Sequence, residues 1–236
     1  MKNLNEVVAG LSVEQLAGMI DHTFLKPFGN AENIEKLCAE ARAYQFAMVA
    51  INPAEVETCA ALLKGSGVRV GAAIGFPLGQ NTVACKAFET RDAIEKGATE
   101  IDTVINVRAL QKGQTEIVKQ EIEDMVAICK PAGVICKVIL ETCYLTDEEK
   151  ETVCRIAAEA GVDFVKTSTG FGTAGATVAD VALMRRTVGP VIGVKAAGGI
   201  RDLETALALI QAGATRIGTS SGIAIVEAYK EMKKNQ

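Results

Sequence analysis

The sequence predicts a single-domain (β/α)8 barrel with an extra N-terminal helix, spanning residues 1–236. Three observations carry that expectation. Strand-like and helix-like segments alternate eight times, one unit every ~25 residues, and such alternation implies parallel strands. Apolar residues make up 49% of the chain, aromatics only 4%, and tryptophan is absent, so the core must be aliphatic. That suits parallel strands covered by helices. No linker or shift in composition divides the chain. A doubly wound open sheet is the alternative, but it expects Gly-x-Gly-x-x-Gly after the first strand, and none is present.

The elements follow in order. An amphipathic helix falls within residues 1–19, with Ser12 and Gln15 as a capping box. The first strand, 19–25, carries Asp21, His22 and Thr23. Lys26-Pro27-Phe28-Gly29-Asn30 turns the chain, and Asn30 caps a helix over 31–44. Residues 47–51 form an apolar second strand. Asn52-Pro53 starts the next helix with a side-chain cap and a proline at the first helical position. The third strand, 68–74, ends in the breaker-rich Gly75-Phe76-Pro77-Leu78-Gly79, and a helix over 83–96 stops at Gly97. The fourth strand covers 100–107 and is followed by a helix over 114–130. The fifth, 134–141, precedes a helix over 147–160 capped by Thr146 and Glu149. The sixth is 163–167, and Thr177 caps a helix to about 187. The seventh, 191–197, runs into Gly198-Gly199, and Asp202 caps a helix ending near Gly213. The eighth, 215–218, leads into Thr219-Ser220-Ser221-Gly222 and a last helix.

Bulk properties exclude several function classes. A net charge of −4 and a pI near 5.3 give no basic patch for nucleic acid. No run of about 18 apolar residues is present to span a membrane. The opening Met-Lys-Asn-Leu-Asn-Glu has no apolar signal core, which predicts a cytosolic protein. The 7 cysteines include no Cys-x-x-Cys pair and read as small buried hydrophobes in a reducing compartment. The 1 histidine, His22, is too few for the usual zinc site, and it faces away from Asp21 as a structural residue. No metal and no cofactor are expected. Chemistry must rest on Lys, Asp, Glu, Thr or Ser.

Three charges interrupt apolar strands: Asp102, Lys166 and Lys195. Barrel active sites lie at the C-terminal strand ends, and strands four, six and seven are close enough for these residues to meet. Burial disfavours the charged form of a lysine and turns it into a nucleophile. Two lysines together cannot both hold a proton cheaply, so one becomes neutral and can form an imine with a carbonyl. A carboxylate beside them can carry protons. One such lysine alone fits a snorkelling strand end equally well; three charges on separate strands favour a site. Lys137 is the rival nucleophile, Asp21 can pair with a lysine, and Glu141 reads as an ordinary polar strand end. The turns Gly198-Gly199 and Gly218-Thr219-Ser220-Ser221 sit where barrels bind phosphate, and Gly170 can add a bare amide.

Five segments resemble deoxyribose-phosphate aldolase. They are Asp21-His22-Thr23-Phe24-Leu25-Lys26-Pro27, Gly75-Phe76-Pro77-Leu78-Gly79, Glu100-Ile101-Asp102-Thr103-Val104-Ile105-Asn106, Phe164-Val165-Lys166-Thr167-Ser168-Thr169-Gly170-Phe171 and Val194-Lys195-Ala196-Ala197-Gly198-Gly199-Ile200-Arg201. The resemblance runs from about residue 20 to residue 222. It implies a metal-independent class I aldolase that reversibly cleaves 2-deoxy-D-ribose 5-phosphate to D-glyceraldehyde 3-phosphate and acetaldehyde. Lys166 would be the Schiff-base lysine, and Lys195 with Asp102 the proton-transfer pair. Asp21, Thr167, Gly170, Gly198, Gly199, Gly218, Ser220 and Ser221 would hold substrate and phosphate. Deoxynucleotide catabolism in the cytoplasm and a homodimer or homotetramer are implied as well. The chain departs from the family in two places. Many members carry Cys where this chain has Ala50, and some end in a mobile tail with a terminal Tyr where this one ends Lys-Lys-Asn-Gln. A transaldolase-like enzyme and a phosphosugar-sensing barrel without catalysis are the competing readings.

Overall fold

Eight parallel strands close into one barrel in the order β1 to β8, each hydrogen-bonded to its sequence neighbours and β1 to β8. The computed structural model describes residues 10–235. The start of the expected N-terminal helix lies outside them. What is described there is the short α1 (Val13–Ala17), with Ser12 and Gln15 forming the expected capping box. Then come β1 (Ile20–Phe24), α2 (Ala31–Tyr44), β2 (Met48–Ile51), α3 (Val56–Leu63), β3 (Arg69–Ile74), α4 (Val83–Glu95) and β4 (Glu100–Val104). The second half holds α5 (Val107–Gln111), α6 (Thr115–Cys129), β5 (Ile135–Ile139), α7 (Asp147–Ala160), β6 (Phe164–Lys166), α8 (Val178–Val188), β7 (Gly193–Ala197), α9 (Leu203–Gln211), β8 (Arg216–Thr219) and α10 (Gly222–Lys234). No helix among the described residues is long and apolar enough to cross a membrane.

Strand alternation sorts the side chains into two environments. Val49, Ile51, Val70, Ala72, Ile101, Val138, Val165, Val194 and Ile217 point outward and pack with Leu37, Cys59, Ile122, Met184 and Leu207 of the helices. This aliphatic layer is the core. The alternate positions point into the barrel and include the charged residues Asp21, Glu100, Asp102, Lys137, Lys166, Lys195 and Arg216. Small residues make room there. A methyl group on Gly193 would lie 2.1 Å from the Phe164 ring, and one on Gly71 2.3 Å from Met48 Cε.

Several boundaries differ from the sequence expectation. The fourth strand stops at Val104, because the Asn106 side chain accepts from Ala109 N at 3.0 Å and starts a helix at Val107. Asn52 makes no side-chain cap, and a 3-10 turn, Pro53–Glu55, precedes α3. The seventh strand begins at Gly193; Val191 lies in a turn and is 92% exposed. The fifth strand stops at Ile139, and Glu141 takes a left-handed backbone with φ 57°.

Candidate active site

The parallel register sets the site. Lys166 on β6 pairs with Lys195 on β7, and Asp102 on β4 pairs with Lys137 on β5. All four therefore share the inward face. Asp102 lies between the ammonium groups. Its Oδ2 accepts from Lys166 Nζ at 2.9 Å and from Lys195 Nζ at 2.7 Å, while its Oδ1 accepts from Lys137 Nζ at 2.7 Å. Lys195 has a second carboxylate, Asp21, at 2.6 Å, and Lys137 has a second in Glu100. Among the described residues, Lys166 forms an ion pair with Asp102 alone.

That inequality sets the protonation states. Burial pushes the Lys166 amine down to about 8, and the ammonium groups of Lys195 and Lys137 add to the effect against the pull of Asp102. Lys137 is equally buried, but Asp102, Glu100 and Asp21 outweigh that and raise it. Its two carboxylates thus favour the charged form of Lys137, which makes it a weaker candidate for the nucleophile than Lys166. Burial alone would raise Asp102; Lys137, Lys166 and Lys195 overcome it and hold the carboxyl well below its ordinary range. The same balance, led by Lys195 and Arg216, lowers Asp21.

A cavity of about 450 Å³ opens above the lysines. Lys166 and Lys195 lie on its floor; Gly170, Gly198, Gly199, Gly218 and Ser220 line one end. Gly198 and Gly199 have φ of 87° and 77°, left-handed values that a side chain would strain. Gly198 also packs directly on Gly175, and Ala176 N donates to Ala197 O at 3.0 Å, so the loop after β6 is fastened to the turn after β7. Gly218 has a further effect: a methyl group there would sit 3.2 Å from Lys195 Cε and 2.9 Å from Ala197 Cβ. Its bareness gives Lys195 room.

Three expected substrate contacts lie elsewhere. Thr167 does not line the cavity; its hydroxyl accepts from Ala197 N at 3.1 Å and donates to Ala197 O at 3.2 Å, tying β6 to β7. Asp21 is fully buried below Lys195. Ser221 N donates to Thr219 Oγ1 at 2.9 Å, and Ser221 does not line the cavity. Sequence reasoning missed Arg201 and Thr169, both of which do line it. Arg201 lies two residues beyond Gly199, and a cation there was the available signal. Glu141 is 3% exposed, and its Oε1 accepts from Thr169 N at 3.1 Å while Oε2 accepts from the Thr169 hydroxyl. It holds the loop after β6 rather than merely ending a strand. His22 is structural as expected, with Nε2 2.8 Å from Glu40.

A parallel barrel with a buried lysine whose charged form is disfavoured, a second lysine and a shared carboxylate under a glycine-edged cavity fits a class I, imine-forming aldolase. The DeoC/LacD family aldolase model matches residues 15–228. The chain is 91% identical to the deoxyribose-phosphate aldolase of Bacteroides thetaiotaomicron, over 99% of this chain and 98% of the relative. It is 58% identical to that of Geobacillus sp., over 90% and 95% respectively. A solved structure titled as a unique tetrameric deoxyribose phosphate aldolase from Aeropyrum pernix superposes with TM-score 0.90 at 35% identity, over 97% of each chain. The chain belongs to the DeoC/LacD family of aldolases.

Proposed function

We propose that this chain reversibly cleaves 2-deoxy-D-ribose 5-phosphate to D-glyceraldehyde 3-phosphate and acetaldehyde, with Lys166 as the imine-forming nucleophile. One observation carries the reading most. Of the buried lysines around Asp102, the one with a single carboxylate, Lys166, faces the cavity. The neutral Lys166 amine adds to the C1 carbonyl of the open-chain sugar, and loss of water gives the protonated imine. Asp102 and Lys195 take up and return the protons of that step. Removal of the C3 hydroxyl proton then breaks the C2–C3 bond. Its electron pair moves to C2, forming the enamine and releasing D-glyceraldehyde 3-phosphate. Protonation at C2 and hydrolysis free acetaldehyde and restore the amine.

The bare amides at Gly170, Gly198 and Gly199, the Ser220 hydroxyl and Arg201 receive the 5-phosphate at the far end of the cavity. The identity of 91% to a deoxyribose-phosphate aldolase and the matching cavity chemistry support this substrate. They also support a cytoplasmic role in deoxynucleotide breakdown. The chain works as a homodimer or homotetramer, a reading supported by the tetrameric relative from Aeropyrum pernix. Turnover of 2-deoxyribose 5-phosphate, with both products measured, tests the assignment. Equal yields of the two products that vanish in Lys166→Ala are expected. A three-carbon ketone donor in place of acetaldehyde would mark a transaldolase-like reaction and overturn it.

A further inference from the structure

The buried charges inside the barrel form a closed ring of alternating sign. Lys195 contacts Asp21 at 2.6 Å, and Asp21 Oδ1 lies 2.5 Å from Arg216 Nη1. Arg216 Nη2 lies 3.0 Å from Glu100 Oε1. The other Glu100 oxygen meets Lys137, Lys137 meets Asp102 Oδ1 at 2.7 Å, and Asp102 Oδ2 returns to Lys195 at 2.7 Å. The ring holds three carboxylates and three cations, so it is neutral. Lys166 attaches to it only through Asp102. Its proton is a charge that the ring itself does not match.

Glu100 and Arg216 close the ring at the end away from the cavity. Glu100 begins β4 and Arg216 begins β8, and neither lines the cavity. Their side chains are 0% and 12% exposed. The Arg216 guanidinium lies 5.4 Å from the centre of the Phe164 ring, and Lys137 Nζ lies 6.0 Å from it, so the ring of charges also closes around an aromatic face. Phe164 reaches that place because Gly193 beside it has no side chain.

We infer that Glu100 and Arg216 are positioning residues whose opposite charges offset one another and so keep the ring neutral beside Lys166. They act without touching Lys166 or substrate. Completing the ring leaves every other cation with two carboxylates. The groups acting directly on Lys166 are Asp102 from β4, Lys137 from β5, Glu141 just after β5 and Lys195 from β7. Arg69, half exposed on β3, reaches Glu100 at 3.7 Å from outside the ring. The inference rests on the aldolase reading.

The sign of the effect is testable. Glu100→Gln leaves the ring positive, so the Lys166 proton becomes harder to hold. Arg216→Gln leaves it negative, so that proton becomes matched. A charge roughly 10 Å away at an effective dielectric of about 20 moves such a midpoint by about one pH unit. The experiment quenches protein and acetaldehyde with borohydride across a pH series and follows the adduct by intact mass. The midpoint for adduct formation should fall in Glu100→Gln and rise in Arg216→Gln. Arg216→Lys should return it toward that of the unaltered chain, which a purely steric role would not do. The double variant Glu100→Gln/Arg216→Gln should also keep the native midpoint, and it serves where a single variant fails to fold. Shifts of the same sign, no shift in folded single variants, or a displaced midpoint in the double variant would each overturn the inference. Absence of any adduct in the unaltered chain would instead sink the aldolase reading itself.

Discussion

A proton on Lys166 faces one carboxylate, Asp102, which two other ammonium groups already occupy. The folded-state pKa, about 8, lies below the unfolded value, so the protonated form is penalised in the fold. That penalty is fully present below pH 8 and fades as the pH rises toward the unfolded value of about 10.4. Lys166→Met removes it. Turnover should be lost, while stability near pH 7 should rise by roughly 2–4 kcal/mol in urea unfolding, with the gain shrinking above pH ~10. A variant less stable than the parent at pH 7 would contradict this balance. Lys195 acts through the same carboxylate. Lys195→Leu takes away a neighbouring positive charge, so the Lys166 midpoint should move upward and the rate fall by roughly 10²-fold or more. An unaltered pH–rate profile would remove Lys195 from the proton-transfer role.

The elements around the cavity are held by buried polar contacts of their own. Lys86 on α4 donates to Val104 O at 2.6 Å, at the end of the strand that carries Asp102, and to Glu121 on α6 at 2.5 Å. Glu121 in turn accepts from Asn106 N at 2.6 Å. Breaking such a buried pair from one side strands a charge, which costs about 3–5 kcal/mol. Glu121→Leu should therefore destabilise the chain by about that amount, and Lys86→Met/Glu121→Leu by clearly less. A double variant whose loss equals the sum of the two single losses would show that the pair is not coupled. At the other end of the cavity, Ser220 lines the wall and Ser221 does not. Ser220→Ala should lower kcat/KM for 2-deoxyribose 5-phosphate about tenfold, the loss of one hydrogen bond to a charged group. Unphosphorylated 2-deoxyribose should be affected little, and Ser221→Ala should change neither substrate. Equal losses on both substrates would point to the fold rather than the phosphate.

At the scale of the whole barrel, the eight units were legible because outward-facing strand residues must be aliphatic and helix caps use a few residue types. Asn30, Thr146, Thr177 and Asp202 all cap as their positions suggest. Asp102, Lys166 and Lys195 stood out as charges within apolar strands, and the structure brings their side chains together. Glu100 and Arg216 escaped notice because a charge at the first residue of a strand looks like a solvated end. Only closure of the barrel turns both inward. Strand register, which sequence does not display, also engages the Thr167 hydroxyl with Ala197. The fourth strand was drawn too long because Ile105 and Val107 continue its apolar pattern, while the Asn106 cap ends it.

The proposed chemistry needs one neutral amine, on Lys166, at the cavity. Borohydride reduction in the presence of acetaldehyde, followed by proteolysis and peptide mapping by mass spectrometry, tests it most directly. A single two-carbon adduct is expected, on the peptide containing Lys166, formed more readily as the pH rises through about 8. An adduct on Lys195 or Lys137 would contradict it.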